Sequence, residues 1–182
     1  MFVAVTPPPE VTAHLDAQVA PLRDDVLRWT TPEMWHVTLA FYGDVPDGNV
    51  VDLHARLGRA ARRHPALTLG LAGAGRFAGR ALWVGCAGDV ATLRDLARSV
   101  AAAGRRGGAP VEEGRRFRAH VTLARSARPV ELTSYVATLA GYEGPVWTAG
   151  EISLVNSRLG AGDNRRPRYE TLATFPLAGS GG

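Results

Sequence analysis

Two histidines of this chain sit in identical surroundings: His36-Val37-Thr38-Leu39 recurs as His120-Val121-Thr122-Leu123, nearly half a chain length further on. An imidazole changes charge near neutral pH, its unperturbed pKa being about 6.5, so one ring can take a proton while another gives one. Hydrolysing a phosphodiester in one step needs that pairing. A base takes a proton from the attacking water, and an acid gives one to the departing ribose oxygen. Hydroxyls can donate hydrogen bonds to the non-bridging oxygens, where charge gathers. The expected catalytic pair is therefore His36 and His120, with Thr38 and Thr122 on the phosphate, and that scheme calls for no metal and no cofactor.

Strand parity gives the repeat a physical meaning, because side chains two apart share a face and neighbours oppose each other. Parity sends His36 and Thr38 one way and Val37, Leu39 and Phe41 to the core. It treats His120 and Thr122 likewise, against Phe117, Val121 and Leu123. Ala40 and Ala124 follow on the polar face, where small residues leave room for a ligand. Arg116 and Arg118 share parity with His120 and are placed to flank a groove and grip a backbone. Tyr42 shares parity with His36 and is placed to stack on a base, the usual way single-stranded RNA is held. Strict parity turns Arg125 toward the core, so a phosphate role for it requires the strand to end near Leu123.

The elements that must position these residues alternate between strand and helix. Strands are expected at Met1 to Thr6, Met34 to Tyr42, Leu67 to Leu71 and Arg80 to Cys86, with a glycine-rich connection from Gly73 to Gly79. Helices are expected at Glu10 to Leu22, after a proline triplet, at Asp47 to Arg63, and at Asp89 to Ala103. The second half repeats the order. It has a strand from Arg116 to Ala124, a helix from Pro129 to Leu139, and strands from Val146 to Val155 and Tyr169 to Phe175. Segments 104 to 115 and 160 to 168, rich in Gly, Arg and acidic residues, read as mobile loops. The fold class is α+β with an internal duplication.

Composition narrows the chemistry further. The chain has 182 residues, 46% hydrophobic and 21% charged, which suits one globular unit. All 21 basic residues are arginine. With no lysine there is no Walker A loop, no Schiff base, and no ligase chemistry carrying a nucleotide on an amine. A formal net charge of +4 and a pI near 10.0 suit an anionic partner such as RNA. The lone Cys86 lies in an apolar run and reads as a buried thiol. His14 and His54 read as outer faces of helices, and His64 as a helix end, all three at the surface. No signal peptide or membrane span is apparent, so a cytoplasmic location is expected.

The chain resembles the 2H phosphoesterase superfamily, specifically the bacterial and archaeal RNA 2′,3′-cyclic phosphodiesterases also described as 2′-5′ RNA ligases. The two His-x-Thr motifs carry the resemblance, supported by Met1-Phe-Val-Ala-Val, Trp35 to Val45, Leu82-Trp-Val-Gly, Phe117 to Arg125, Ile152 to Arg158, Tyr169-Glu-Thr-Leu and Phe175-Pro-Leu. It implies a bilobal fold, two antiparallel-rich sheets facing a central groove with helices outside. It also implies opening of a 2′,3′-cyclic phosphate to a 2′-phosphate, with His36 as proton donor and His120 as acceptor. An Arg after the second motif is a plausible phosphate ligand in relatives, which points to Arg125. Ala119 stands where relatives often have proline, and Tyr42 where they often have an aliphatic residue. The partner expected is RNA or an oligonucleotide ending in a 2′,3′-cyclic phosphate, and the protein is expected to be a monomer. The competing readings are 2′-5′ ligation or small cyclic-nucleotide hydrolysis in the same groove, and a non-catalytic RNA-binding module.

Overall fold

The computed structural model describes residues 1–111, 116–158 and 167–179. In chain order these form β1 (Phe2–Val5), α1 (Pro9–Val19), β2 (Arg28–Trp29), β3 (Val37–Phe41), α2 (Asp47–Ala61), β4 (Leu67–Phe77) and β5 (Ala81–Gly88). They continue with α3 (Val90–Arg106), β6 (His120–Arg125), α4 (Thr133–Leu139), β7 (Trp147–Ala149), β8 (Glu151–Arg158) and β9 (Arg168–Pro176). The α+β class read from the sequence is the class observed. Helix α1 starts with proline in its first turn and buries Val11, Leu15 and Val19, the stripe that helical periodicity selects. Helix α3 buries Leu93, Leu96, Ala97 and Val100 in the same way.

Every strand ladder is antiparallel, and eight strands run in the order β7-β4-β5-β6-β3-β1-β8-β9, with β2 on β6. Two antiparallel groups of four therefore join edge to edge where β6 meets β3. Each group draws on both halves of the chain: β1 and β3 pair with β8 and β9, while β4 and β5 pair with β6 and β7. Strands β7 and β8 are separated by the single residue Gly150, yet they belong to opposite groups. A sheet whose far strands are tied so closely must curl back toward itself.

Several boundaries differ from the sequence expectation. The glycine-rich stretch is strand: β4 runs through Gly73 and Gly75 to Phe77, and the turn is confined to Ala78 and Gly79, both in the left-handed region at φ +47° and +64°. Gly75 is in the strand because the Trp83 indole lies across it, and a Cβ there would come within 2.2 Å of the ring. The single strand expected from Val146 to Val155 is β7 and β8, split at Gly150. Helix α3 extends to Arg106, so residues 104–106 are helix where a loop was expected, while much of the other expected loop, 160–168, lies outside the described residues. Helix α4 starts at Thr133, later than Pro129.

The join between the two groups is narrow. Strands β3 and β6 share one register pair, Val37 with Val121, both fully buried. Beside it, β2 occupies the edge of β6, pairing Trp29 with Ala124 and Arg28 with Arg125. Thr30 then stitches the seam. Its N–H donates to the Leu123 carbonyl at 2.9 Å. Its hydroxyl is shared between the carbonyls of Thr122 and Leu123, at 2.9 and 2.8 Å, and accepts from the buried indole Nε1 of Trp35 at 2.8 Å. Trp35 directly precedes His36, so one hydroxyl ties the backbone of the second motif to the residue that seats the first.

Thr30→Val keeps the shape and removes the hydroxyl, leaving the Trp35 donor buried without a partner. It is expected to destabilise the fold by about 1–3 kcal/mol in urea denaturation, with Thr30→Ser retaining most of the stability. Equal stability of all three proteins would show that the stitch holds nothing.

Candidate active site

The Val37–Val121 pair sets the geometry of both motifs. In an antiparallel register, position 38 lies opposite 120 and position 36 opposite 122, so each imidazole faces the other motif's threonine across the seam. His36, half-buried, directly precedes β3, and His120, also half-buried, is the first residue of β6. Both stand at the start of a strand, not in the middle of one as the sequence reading had it. That position matters, because each ring turns back on its own chain. His36 Nδ1 donates to the Met34 carbonyl at 2.7 Å, and His120 Nδ1 donates to the Arg118 carbonyl at 2.7 Å. A carbonyl only accepts, so both Nδ1 atoms carry hydrogen, and in the neutral rings both Nε2 atoms are left as the basic nitrogen.

Each ring is also walled by two aromatic side chains. Phe2 stacks on His36 at 4.6 Å between centroids, and Tyr169 meets it edge-on at 5.4 Å. Phe77 and Trp83 meet His120 edge-on at 5.0 and 5.9 Å, and the Arg118 guanidinium lies over the Trp83 ring at 5.1 Å. Arg118 therefore lies beside the second imidazole, although residues 116–119 are not strand and the parity expected to place it does not apply. Phe2, Trp83 and Tyr169 lie in segments that carry the family resemblance, but nothing in the residues alone assigns them to the imidazoles, and Phe77 lies in no such segment. The signal was present in β1, β5 and β9, whose alternate residues face the same side, but reading it required the strand order.

Parity past the motifs is broken in both strands, at the same place. The pairing of β1 with β3 skips Leu39, matching Val3 with Ala40 and Ala4 with Thr38. The pairing of β5 with β6 skips Leu123, matching Leu82 with Ala124 and Trp83 with Thr122. A bulge puts two residues opposite one and reverses the facing of everything beyond it. Phe41, expected in the core, comes out on the imidazole side and is 45% exposed. Tyr42, expected to stack on a base, instead goes fully into the core, where its hydroxyl donates to the Val100 carbonyl at 2.8 Å and burial raises its pKa. Ala40 and Ala124, expected to line a ligand space, are buried. Arg125 is carried to the same face as His120 and Thr122 with its strand intact, which removes the objection that parity raised.

Electrostatics follow from this crowding. Desolvation by burial is the leading cause pulling His36 down to about 4. His120 and Arg125 add to the shift, and the Met34 hydrogen bond opposes it. Burial likewise lowers His120, assisted by Arg125 and Arg118 and opposed by the bond to the Arg118 carbonyl. The Arg125 charge bears on both imidazoles and on Tyr169, lowering each. Both rings are thus neutral at pH 7 in the empty groove, beside fixed positive charge. Such a site favours an anion, and an anion that enters restores protons to the rings. Among the described residues, no three His, Cys, Asp or Glu side chains come together as a metal site would require. Cys86 is half-buried on β5, its thiol pushed up to about 12 by burial.

Comparison with known proteins agrees with this geometry. The family model of the 2′-5′ RNA ligase superfamily matches residues 7–161, which contain both motifs. The chain belongs to the 2′-5′ RNA ligase superfamily. Within it, the chain is 33% identical over 162 residues to an RNA 2′,3′-cyclic phosphodiesterase of Geobacillus stearothermophilus, covering 84% of this chain and 48% of that one. It is 26% identical over 102 residues to the protein of the same name from Aquifex aeolicus, covering 54% of each. The chain thus spans about half the length of the curated relatives it matches. Among solved structures, Escherichia coli LigT in its apo form superimposes with a TM-score of 0.78 at 25% identity, over 97% of this chain and 96% of LigT. A Thermus thermophilus protein does so with a TM-score of 0.76 at 26% identity, over the same shares.

The imidazole environment is open to direct measurement. In NMR titrations of the unliganded protein, both rings are expected as Nδ1–H tautomers, with His36 titrating near 4 and His120 below 6.5. Inorganic phosphate is expected to raise both. An imidazole titrating above about 7 in the empty protein would contradict the burial described.

Proposed function

We propose that this superfamily member hydrolyses RNA 2′,3′-cyclic phosphate ends to 2′-phosphates by two-histidine general acid–base catalysis without a metal. The observation that carries this reading is the pair of imidazoles with identical Nδ1 anchors, each offering Nε2 to one shared face next to the other's threonine. The relatives named as RNA 2′,3′-cyclic phosphodiesterases support the substrate class, and a LigT crystal structure complexed with 3′-AMP supports nucleotide binding.

In this scheme Thr38 and Thr122 donate to the non-bridging oxygens of the cyclic phosphate, and the Arg125 guanidinium balances their charge. Water attacks phosphorus, and His120 Nε2 takes the proton it loses. The bond from phosphorus to O3′ breaks, and that oxygen receives the proton carried by His36 Nε2, leaving a 3′-hydroxyl and a 2′-phosphate. Next to those groups, Phe41 offers the open ring face for a base that Tyr42 does not. Arg118, held over Trp83 beside His120, offers a guanidinium to the RNA backbone.

The donor needs its proton before the reaction, and burial works against that in the empty site. The bound phosphate is the compensating charge, so substrate protonates the donor as it binds. The pH profile is therefore expected to be bell-shaped. In kcat/KM, which reports the free enzyme, the alkaline limb falls below about 6.5, while in kcat it moves to higher pH. A flat profile, or limbs at the same pH in both parameters, would contradict the scheme.

An oligonucleotide ending in a 2′,3′-cyclic phosphate is expected to be opened equally well in EDTA and to yield only the 2′-phosphate, read by phosphorus NMR. His36→Ala and His120→Ala should each lower turnover by roughly 10² to 10⁴ with the fold retained. A 3′-phosphate product would overturn the assigned leaving oxygen. Undiminished turnover in either variant would overturn the catalytic pair, and binding without turnover in the unmodified protein would make the groove a binding module.

A further inference from the structure

The far side of the sheet carries a second concentration of positive charge. Helix α3 packs there against the core side of β3, as the bond from Tyr42 to the α3 carbonyl of Val100 shows, and α2 packs in turn against α3 and β9. The two helices run antiparallel. Gly107 lies against Leu53 at one end, and at the other the His64 ring shares a 2.8 Å hydrogen bond with Ser99 Oγ. His64, read from the sequence as a surface residue, is half-buried by that contact.

Between the helices lies a cavity of about 390 Å³ lined by Arg56, Arg59, Arg63, Arg98 and Arg106, with Asp95 as its one carboxylate. That excess of positive charge equals the formal net charge of the whole chain, +4. Arg56 is occupied by Asp52 and Arg98 by Asp95, each at 2.6 Å. Arg59, Arg63 and Arg106 have no ion pair among the described residues, and all three are exposed.

Spacing organises these charges. At about 1.5 Å per helical residue, Arg56 and Arg59 lie one turn apart on α2, Arg63 follows in the turn just past its last residue, and Arg98 and Arg106 span about 12 Å on the facing helix. Guanidiniums grip phosphate through paired N–H donors. The remaining lining residues are His64, Ser99, Ala102 and Ala103, with no Phe, Tyr or Trp ring to stack a base, and the His64 imidazole is engaged by Ser99. Two basic rows without a stacking platform favour a run of phosphates over a nucleobase, and so a ligand held without regard to sequence.

We propose that the α2–α3 cleft is a second RNA site, gripping the phosphodiester backbone of the same strand whose end lies in the groove. The proposal rests on the RNA reading of the groove. It adds that affinity grows with RNA length, because only a strand long enough to pass around the sheet engages both sites.

The test compares the unmodified protein with the triple variant Arg59→Glu, Arg63→Glu, Arg106→Glu, and with a milder Arg→Gln triple that preserves folding if charge reversal does not. Two substrates ending in a cyclic phosphate are used, a dinucleotide and a single-stranded RNA of about 20 nucleotides, longer than a typical single-strand site of roughly 4–16. The variants are expected to bind the long RNA about tenfold more weakly. The slope of log affinity against log salt should shrink by about 2, as losing three phosphate contacts requires. Turnover of the dinucleotide should not change. Unaltered affinity for the long RNA would overturn the proposal, as would equal losses on both substrates. Inorganic tripolyphosphate that binds the unmodified protein and is lost in the variants, without competing with long RNA, would make the cleft a small-anion site and overturn it too. Length-dependent binding that the variants lose, in a protein that opens no cyclic phosphate, would sustain the cleft while refuting the hydrolytic reading. A protein active on the dinucleotide but indifferent to RNA length would do the reverse.

Discussion

One backbone register, Val37 against Val121, holds the site together. An antiparallel pair is its own local twofold, so whatever flanks one valine is repeated around the other. The imidazoles, the threonines and the turned-back Nδ1 bonds are all copies under that operation. The bulges after Thr38 and Thr122 follow it as well. A slip of one residue at the seam would send every one of these side chains to the wrong face. Burial of both valines and the hydroxyl of Thr30 guard against that slip.

Symmetry at the seam does not extend to the charges. Beyond the bulges, the positions equivalent to each other hold Phe41 on one side and Arg125 on the other. One flank therefore presents an apolar ring and the other a guanidinium. His36, the more strongly shifted imidazole, sits by Phe2 and Tyr169, while His120 stands beside Arg118 as well as Arg125. Two chemically identical rings are separated in this way by what surrounds them.

Much of this was legible in the residues. Repetition of His-x-Thr picked out the imidazoles and hydroxyls, and period-two alternation assigned their facing correctly as far as Thr38 and Thr122. Legibility stopped at the bulges, because a bulge is a property of two paired strands and neither strand announces it alone. That is why Tyr42 was placed in the groove and Phe41 in the core, and why Arg125 carried an objection it did not need. The glycines of β4 misled for a related reason. Gly75 yields to an indole from the neighbouring strand, so its cause lies outside its own segment. Phe2, Phe77, Trp83 and Tyr169 became visible as a set only when strand order brought β1, β4, β5 and β9 to one face.

The weaving of both chain halves into each group of strands bears on how the molecule comes into being on the ribosome. Strand β1 is made well before β8, which flanks it, and β5 must wait for β6. Neither group can close while its late strands are still unsynthesised, so a nascent chain carrying the first histidine motif has no groove to put it in. The strands that complete each group, β7, β8 and β9, all follow the second histidine motif in the chain, so the frame around both imidazoles is finished only after both motifs have been made.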